Sequence, residues 1–162
     1  MSKHLNEPHP SSPEERRRWL QVLARATSAE LARWAAPVAN AQRFDWLRHP
    51  EPGLVMLRGR IGNSGDRFNL GEATVTRCVV RVCLPEGESA AGVGYVLGRD
   101  TQRASWVACI DALLQLPLCR ADVMRRVIEP LAAAAAARRA AAQARTATSR
   151  VEFHTLQAEV AR

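Results

Sequence analysis

The spacing of apolar residues changes twice along the chain, and each change marks a different kind of predicted element. Up to about residue 37 the apolar positions recur every third or fourth residue, which is typical of amphipathic helices. Ser12 with Glu15, and Thr27 with Glu30, have the spacing of capping boxes, so each pair predicts a helix start. The second helix is expected to end near Pro37. We therefore predict an N-terminal helical hairpin.

From Gln42 onward, apolar and polar residues alternate, which is typical of strands with one buried face. The alternation predicts four strands, beginning near residues 42, 54, 68 and 93, of which the third is either one long strand or two with a kink near Gly71. Turns are expected at residues 50–53 and 62–66, where glycine or proline interrupts the alternation, and a loop at 85–92. Because the connections are short, the simplest arrangement of the four strands is an antiparallel sheet built as a meander.

Helical spacing returns at Asp100, which is placed to cap the next helix. A further helix is predicted from about Ala121, with Pro130 interrupting or kinking it. Residues 131–148 form an Ala/Arg-rich run that favours a helix, and residues 149–160 regain apolar side chains that we expect to dock. The pattern predicts a disordered head at residues 1–11 and a single α+β domain at residues 12–160, with C-terminal helices packing on the sheet.

Composition restricts the classes of function without choosing among them. The chain has 162 residues, is 47% hydrophobic and carries a formal net charge of +7. Such basicity favours nucleic acid, phosphorylated ligands or an acidic protein surface as partner. Lys3 is the only lysine, so the excess charge rests on arginine, which a GC-rich genome would also favour. The sequence has no long apolar run and no secretory signal, so we expect a cytoplasmic protein without a membrane segment.

Arginine recurs at every second or fourth position of the two central predicted strands. Because side chains alternate across a strand, we expect Arg58, Arg60, Arg77 and Arg81 to share one face of the sheet. Such a face must meet water, an anion or the carboxylates of a partner. The glycine-bearing turn between the strands is either an anion-cradling turn or a plain hairpin. The candidate anion or interface contacts are Arg58, Arg60, Gly62, Gly65, Arg67, Arg77, Arg81 and Arg99.

No self-sufficient catalytic centre is evident in the sequence. The histidines form no metal-binding pair, the cysteines form no CxxC motif, and no GxSxG nucleophile motif occurs. We therefore predict no catalytic, cofactor-binding or metal-binding residue in this chain. Cys78 and Cys109 lie in apolar patterns and are expected to be buried, reduced thiols. Asp111 lies within an apolar helix, so we expect a structural pair between its carboxylate and one of the sheet arginines.

Several clusters of residues occur in an order that resembles one protein family. They are LVMLRGRIGNSGDRFNLGEATVTRCVVR, then GYVLGRD, then ACIDALLQ within a helix, and finally SRVEFHTL. In this order they resemble the G subunit of the bacterial carbon–phosphorus lyase core complex, the PhnG family. The resemblance runs from about Glu14 to Leu156, and Arg103 departs from it because family members tend to carry histidine there.

The resemblance implies a role in phosphonate catabolism. The family's G, H, I and J subunits form a core complex, and an early step displaces adenine from ATP by a phosphonate to give a ribose 1-phosphonate 5-triphosphate. The C–P bond is cleaved in a later step. ATP, S-adenosylmethionine and an iron–sulfur cluster belong to other subunits of the system, so no cofactor is expected in this chain. The resemblance implies a non-catalytic or accessory subunit, inactive alone, whose C-terminal helices also pack on partner subunits and which contacts the I, H and J subunits, mainly I.

Two alternative functions stay open on the sequence. In the first, the arginines contribute directly to the ATP or phosphonate site by neutralising phosphoryl charge. In the second, the chain is a stand-alone nucleic-acid-binding module. The second reading is disfavoured because a nucleic-acid platform needs basic residues interleaved with aromatics, and the predicted sheet offers few.

Overall fold

The computed structural model of the protein describes residues 12–85 and 87–148. The predictions for the head at residues 1–11 and for residues 149–160 lie outside this range. The N-terminal helices are α1 (Pro13–Arg25), α2 (Ser28–Trp34) and α3 (Ala36–Ala39), and the strands are β1 (Phe44–Arg60), β2 (Arg67–Cys83) and β3 (Ser89–Leu97). The C-terminal helices are α4 (Thr101–Gln115), α5 (Pro117–Val123) and α6 (Glu129–Thr148). The architecture is α+β, as predicted.

Both predicted capping boxes form at the N-terminal helices. The Ser12 hydroxyl accepts the N–H of Glu15 at 3.1 Å, and the Glu15 carboxylate accepts the N–H of Ser12 at 3.1 Å. Thr27 and Glu30 make the same reciprocal pair at the start of α2. Helices α1 and α2 each pack against α4 and α6. A hairpin in which the first two helices pack mainly on each other is therefore not confirmed.

Over the residues that the structure describes, the sheet has three strands, not the predicted four, in the antiparallel order β1-β2-β3. The first two predicted strands are one continuous strand, β1, which contains the turn expected at residues 50–53. The register between β1 and β2 shifts between Trp46 and Glu51, so extra residues of β1 bulge there. Proline cannot donate a ladder hydrogen bond, but it is tolerated at bulges of an edge strand such as β1. The prolines of this segment therefore distort an edge strand instead of ending it.

Helix α4 packs on one face of the sheet, which we call the front face; the opposite face is the rear face. Gly92 and Gly94 of β3 allow this close approach. A Cβ atom built on Gly94 would lie 2.0 Å from the carbonyl oxygen of Ala104, and one on Gly92 would lie 2.0 Å from that of Ala108. The core lies between α4 and the front face and includes the buried residues Cys78, Val80, Val82, Val107, Ile110 and Leu114.

We expect Gly94→Ala to lower the free energy of unfolding by about 1–3 kcal/mol, because the new methyl group forces the α4 backbone away from β3. Urea unfolding followed by circular dichroism measures this loss. Gly53→Ala in β1 is the matched control, since nothing lies within 4 Å of a Cβ atom built there. Equal losses in the two variants would contradict the proposed close packing.

The C-terminal helices follow one another with little interruption. A π-helical turn spans Met124–Ile128, and Pro130 is the second residue of α6. Because proline removes one helical hydrogen bond, a local change of winding is expected beside it. Leu131 is buried in the core, while most of the following alanines are exposed. Arg138 ties α6 to α2 through an ion pair with Glu30. Of the helices described, none has the length and apolarity needed to span a membrane.

Candidate functional site

The register of the sheet separates the four arginines that were expected to share a face. Residues directly opposite each other in an antiparallel pair point to the same side. Arg58 and Arg60 alternate in phase with Leu54, which lies opposite Thr74 on the front face. Arg77 and Arg81 have the opposite phase in β2 and lie on the rear face. The prediction of a single cationic face is therefore wrong.

One extra residue in β2 causes this separation. The tip of the hairpin pairs Arg58 with Asn69, whereas the next pair along is Leu57 with Gly71. Leu70 is thus left without an opposite partner, and the adjacent Gly71 has a φ of 151°. A bulge of this kind shifts the register by one residue, which reverses the face of every following side chain. Without it, Arg77 would lie on the same face as Arg58.

The hairpin of β1 and β2 projects beyond the rest of the sheet. The last residue of β3, Leu97, pairs with Val75, so the hairpin is two-stranded beyond that point. We call residues 54–73 the arm. Its strands continue for about seven residues, or roughly 20 Å, beyond the third strand. Gly62 at the tip has a φ of 60°, and the N–H of Gly65 donates to the carbonyl of Ile61 at 3.2 Å. This hydrogen bond closes the turn at the tip of the arm.

The front face of the arm carries three exposed arginines, which we call the arginine cluster: Arg58, Arg60 and Arg67. Arg60 lies directly opposite Arg67, and Arg58 lies two positions along β1 on the same face. Within residues 12–85 and 87–148, none of the three forms an ion pair. The cluster is therefore left without a direct ion pair in the described part of the chain, and Glu72, opposite Met56, is the carboxylate on the same face.

The other candidate arginines lie elsewhere. On the rear face, the Arg77 guanidinium donates to Glu51 at 3.0 Å, and Arg48 forms a second ion pair with the same carboxylate. Two hydrogen bonds hold the pKa of the Glu51 carboxyl below its ordinary value; the one from Arg48 has the larger effect, followed by the one from Arg77. Arg81 lies opposite Asp45, and Arg99 is exposed in the turn between β3 and α4. The structure therefore brings together only three of the six candidate arginines.

The rear face also carries a set of apolar side chains that the sequence reasoning did not identify as a site. We call it the rear apolar surface; its members are Val55, Leu57, Phe68, Leu70, Val79, Val93, Tyr95 and Leu97. Leu57 is 44% exposed, Leu70 62% and Leu97 65%. Gly59 leaves room for Leu70, because a Cβ atom on Gly59 would lie 2.5 Å from a Leu70 methyl group. Contiguous exposed apolar side chains of this kind mark interaction sites.

A groove of about 1110 Å³ extends this surface toward α1. Leu20 and Ala24 of α1 line one side of the groove, and Val93 and Tyr95 line the other. Since Val93 and Tyr95 also belong to the rear apolar surface, the two features are continuous. The alternation of apolar and polar residues in β2 and β3 indicated which side chains share the rear face. It did not indicate that the helices pack on the front face.

Asp111 is fully buried, and its partner differs from the one expected. Arg16 of α1 binds the carboxylate with two hydrogen bonds, Nε to Oδ1 at 3.2 Å and NH2 to Oδ2 at 2.7 Å. Trp19 Nε1 donates to Oδ1 at 2.8 Å, and the N–H of Val93 donates to Oδ2 at 2.9 Å. The prediction of a sheet arginine as partner was wrong, because the sheet arginines point away from α4 or lie on the arm. Asp111 joins α1, α4 and β3, and this arrangement is structural.

The two buried cysteines are free thiols, as predicted. Burial raises the pKa of Cys78 to about 11 and that of Cys109 to about 12. Both thiols therefore stay protonated at neutral pH, so neither is suited to act as a nucleophile.

Two comparisons with known proteins each match most of the chain. The family model described as "Phosphonate metabolism protein PhnG" matches residues 14–158 of the chain. A curated protein of Rhizobium meliloti (strain 1021), named alpha-D-ribose 1-methylphosphonate 5-triphosphate synthase subunit PhnG, is 43% identical over 142 residues. The match covers 88% of this chain and 88% of the relative.

Proposed function

The chain belongs to the PhnG family of phosphonate metabolism proteins, and from this premise we propose that it is an accessory subunit of a multi-subunit complex for phosphonate catabolism. The similar protein of Rhizobium meliloti (strain 1021) is named as a subunit of a ribose 1-methylphosphonate 5-triphosphate synthase. In the proposed role, this chain supplies structure and binding surface, while the displacement of adenine from ATP by a phosphonate takes place on another subunit. ATP, S-adenosylmethionine and the iron–sulfur cluster of the later C–P cleavage belong to those other subunits.

The observation that carries this proposal is the rear apolar surface. Its leucines and aromatics extend from the tip of the arm to the groove beside α1, and the most exposed of them have more than half of their surface in water. A two-stranded hairpin is marginally stable by itself in water. Contact with another chain would bury these side chains and support the arm at the same time. Both requirements are met in an assembled subunit.

The partners in this proposal are the I, H and J subunits of the carbon–phosphorus lyase core complex, with the I subunit as the main contact. The proposed location of the assembly is the cytoplasm. A role as a nucleic-acid-binding module has less support. Phe68, the aromatic residue of the arm, lies on the rear face, opposite to the arginine cluster, so bases could not stack beside the cationic groups.

We expect the chain to be poorly soluble when expressed alone and to become soluble when it is co-expressed with the I subunit. The physical reason is that the rear apolar surface is exposed in the isolated chain and covered in the assembly. The measurement is the soluble fraction of the chain in the two expressions, followed by size-exclusion chromatography. A soluble monomer that unfolds cooperatively without any partner would contradict the proposal.

A further inference from the structure

We propose that the arginine cluster, Arg58, Arg60 and Arg67, binds the polyphosphate group of a nucleotide or ribose triphosphate at a site completed by a neighbouring subunit. This inference rests on the proposed function, because it places the site in the assembled complex. It also goes beyond that function, since it assigns ligand contacts to a subunit that otherwise has only a structural role.

The first argument is the repulsion among the three side chains. Directly opposite residues in an antiparallel pair have Cβ atoms about 5 Å apart, and like charges in that position destabilise the pair. Arg60 and Arg67 occupy such a position, and Arg58 adds a third positive charge on the same face. The arm keeps this arrangement in a hairpin that has little other support. A ligand that carries several negative charges would offset this repulsion, because each guanidinium group would be attracted to it.

The second argument is the position of the cluster relative to the apolar surface. The rear face of the arm carries only apolar side chains of the rear apolar surface, whereas the arginines lie on the front face, beside the exposed Leu54 and Met56. When the rear face docks on a partner, the guanidinium groups stay on the other side of the arm. They therefore remain free to reach a ligand at the junction with another part of the assembly.

The third argument is the chemistry of the groups. Guanidinium forks form bidentate hydrogen bonds with phosphate oxygens, and they stay charged at every physiological pH. Three of them match a triphosphate, which presents several charged oxygens in a row. The rear arginine Arg77 does not fit this role, because it lies on the opposite face and already shares the Glu51 carboxylate with Arg48. The structure thus selects three arginines from the six that the sequence offered.

The test uses the assembled complex containing either the natural chain or the Arg60→Gln/Arg67→Gln double variant. The probes are ATP, inorganic tripolyphosphate and adenosine, with binding measured by calorimetry. We expect the Kd for ATP and for tripolyphosphate to rise at least about tenfold for each arginine lost, because hydrogen bonds to charged groups are strong. Adenosine binding should not change, because adenosine carries no phosphate. The affinity of the variant for ATP should also depend less steeply on salt concentration.

The matched control is Arg18→Gln/Arg139→Gln, which removes the same charge from two exposed helical positions. The Arg60→Gln/Arg67→Gln variant, the cluster variant, should have a midpoint temperature of thermal unfolding equal to or above that of the natural chain, since a repulsive pair has been removed. If the complex assembles and its affinity for ATP is unchanged, the inference is overturned and the proposed function stands. If the cluster variant fails to assemble while the control assembles, the arginines pair with carboxylates of a partner and the inference is again overturned. If the natural chain does not assemble at all, the proposed function itself fails.

Discussion

Replacing Leu57 and Leu70 together by aspartate is expected to release the chain from its complex and to leave its own fold intact. Both side chains belong to the rear apolar surface, Leu57 being 44% and Leu70 62% exposed, and neither belongs to the buried core. In the assembly each would place a charge in a desolvated apolar contact. Central interface residues contribute about 2 kcal/mol or more each, so the double variant should bind its partner about a thousandfold more weakly.

Co-purification of tagged variants with co-expressed partner subunits measures this effect. The matched control is Leu118→Asp in α5, where the leucine is 66% exposed but lies outside the rear apolar surface. Circular dichroism and thermal unfolding establish that each variant is folded. Retention of the complex by the double variant, or equal loss in the control, would mean that the rear face of the arm is not the contact.

The largest expected loss of intrinsic stability follows from Asp111→Ala. The carboxylate is fully buried and accepts hydrogen bonds from Arg16, Trp19 and the backbone of Val93. Removing it leaves a guanidinium, an indole N–H and a strand N–H without their acceptor, and it disconnects α1 from α4 and β3. Breaking a buried ion pair by removing one partner costs about 3–5 kcal/mol. We expect a decrease of this size in the free energy of unfolding.

Urea unfolding of the variant and of the natural chain gives the difference between their free energies of unfolding. The slope of free energy against urea concentration is compared for both. Asp122→Ala is the matched control, because Asp122 also accepts from two arginines, Arg126 and Arg125, but on the exposed surface. Exposed ion pairs contribute little to stability, so the free energy of unfolding of the control should be close to that of the natural chain. A small effect at Asp111, similar to that at Asp122, would contradict the structural role assigned to the buried carboxylate.

Local features of the fold were predictable from the sequence because they depend on neighbouring residues. The boxes at Ser12 and Thr27 and the cap at Asp100 form as expected, since each requires only side chains within three or four positions. The alternation in β2 correctly separated Thr76, Cys78 and Val80 from Arg77 and Arg81. The meander order also follows from short connections.

Features that depend on register or on the edge of a sheet could not be obtained in the same way. The proline and glycine at residues 50–53 distort β1 but do not end it. On an edge strand these residues are accommodated by bulges, and the strand continues. The faces of β1 and β2 were each assigned correctly, yet the bulge at Leu70 reverses one relative to the other. Gly71 beside Leu70 is the local signal for such a bulge. The partner of Asp111 was missed because Arg16 is 95 residues away in the sequence.

The identification of a set of six arginines was therefore only partly informative about the candidate site. Their number and spacing pointed to an anionic partner, and the structure divides them between two faces and a separate turn. The apolar character of the rear face is the feature that an assembled subunit requires, and it depends on which face α4 covers. Nothing in the spacing of apolar residues alone distinguishes a strand face covered by a helix of the same chain from one covered by a neighbour.

The most direct test of the central claim is to purify the tagged chain from its own host, grown with a phosphonate as the only phosphorus source, and to identify every companion by mass. The account predicts stoichiometric recovery with subunits of a phosphonate-converting complex, and loss of those subunits when Leu57 and Leu70 are replaced by aspartate. Recovery of the chain alone, as a folded monomer that itself converts a nucleotide or a phosphonate, would contradict it.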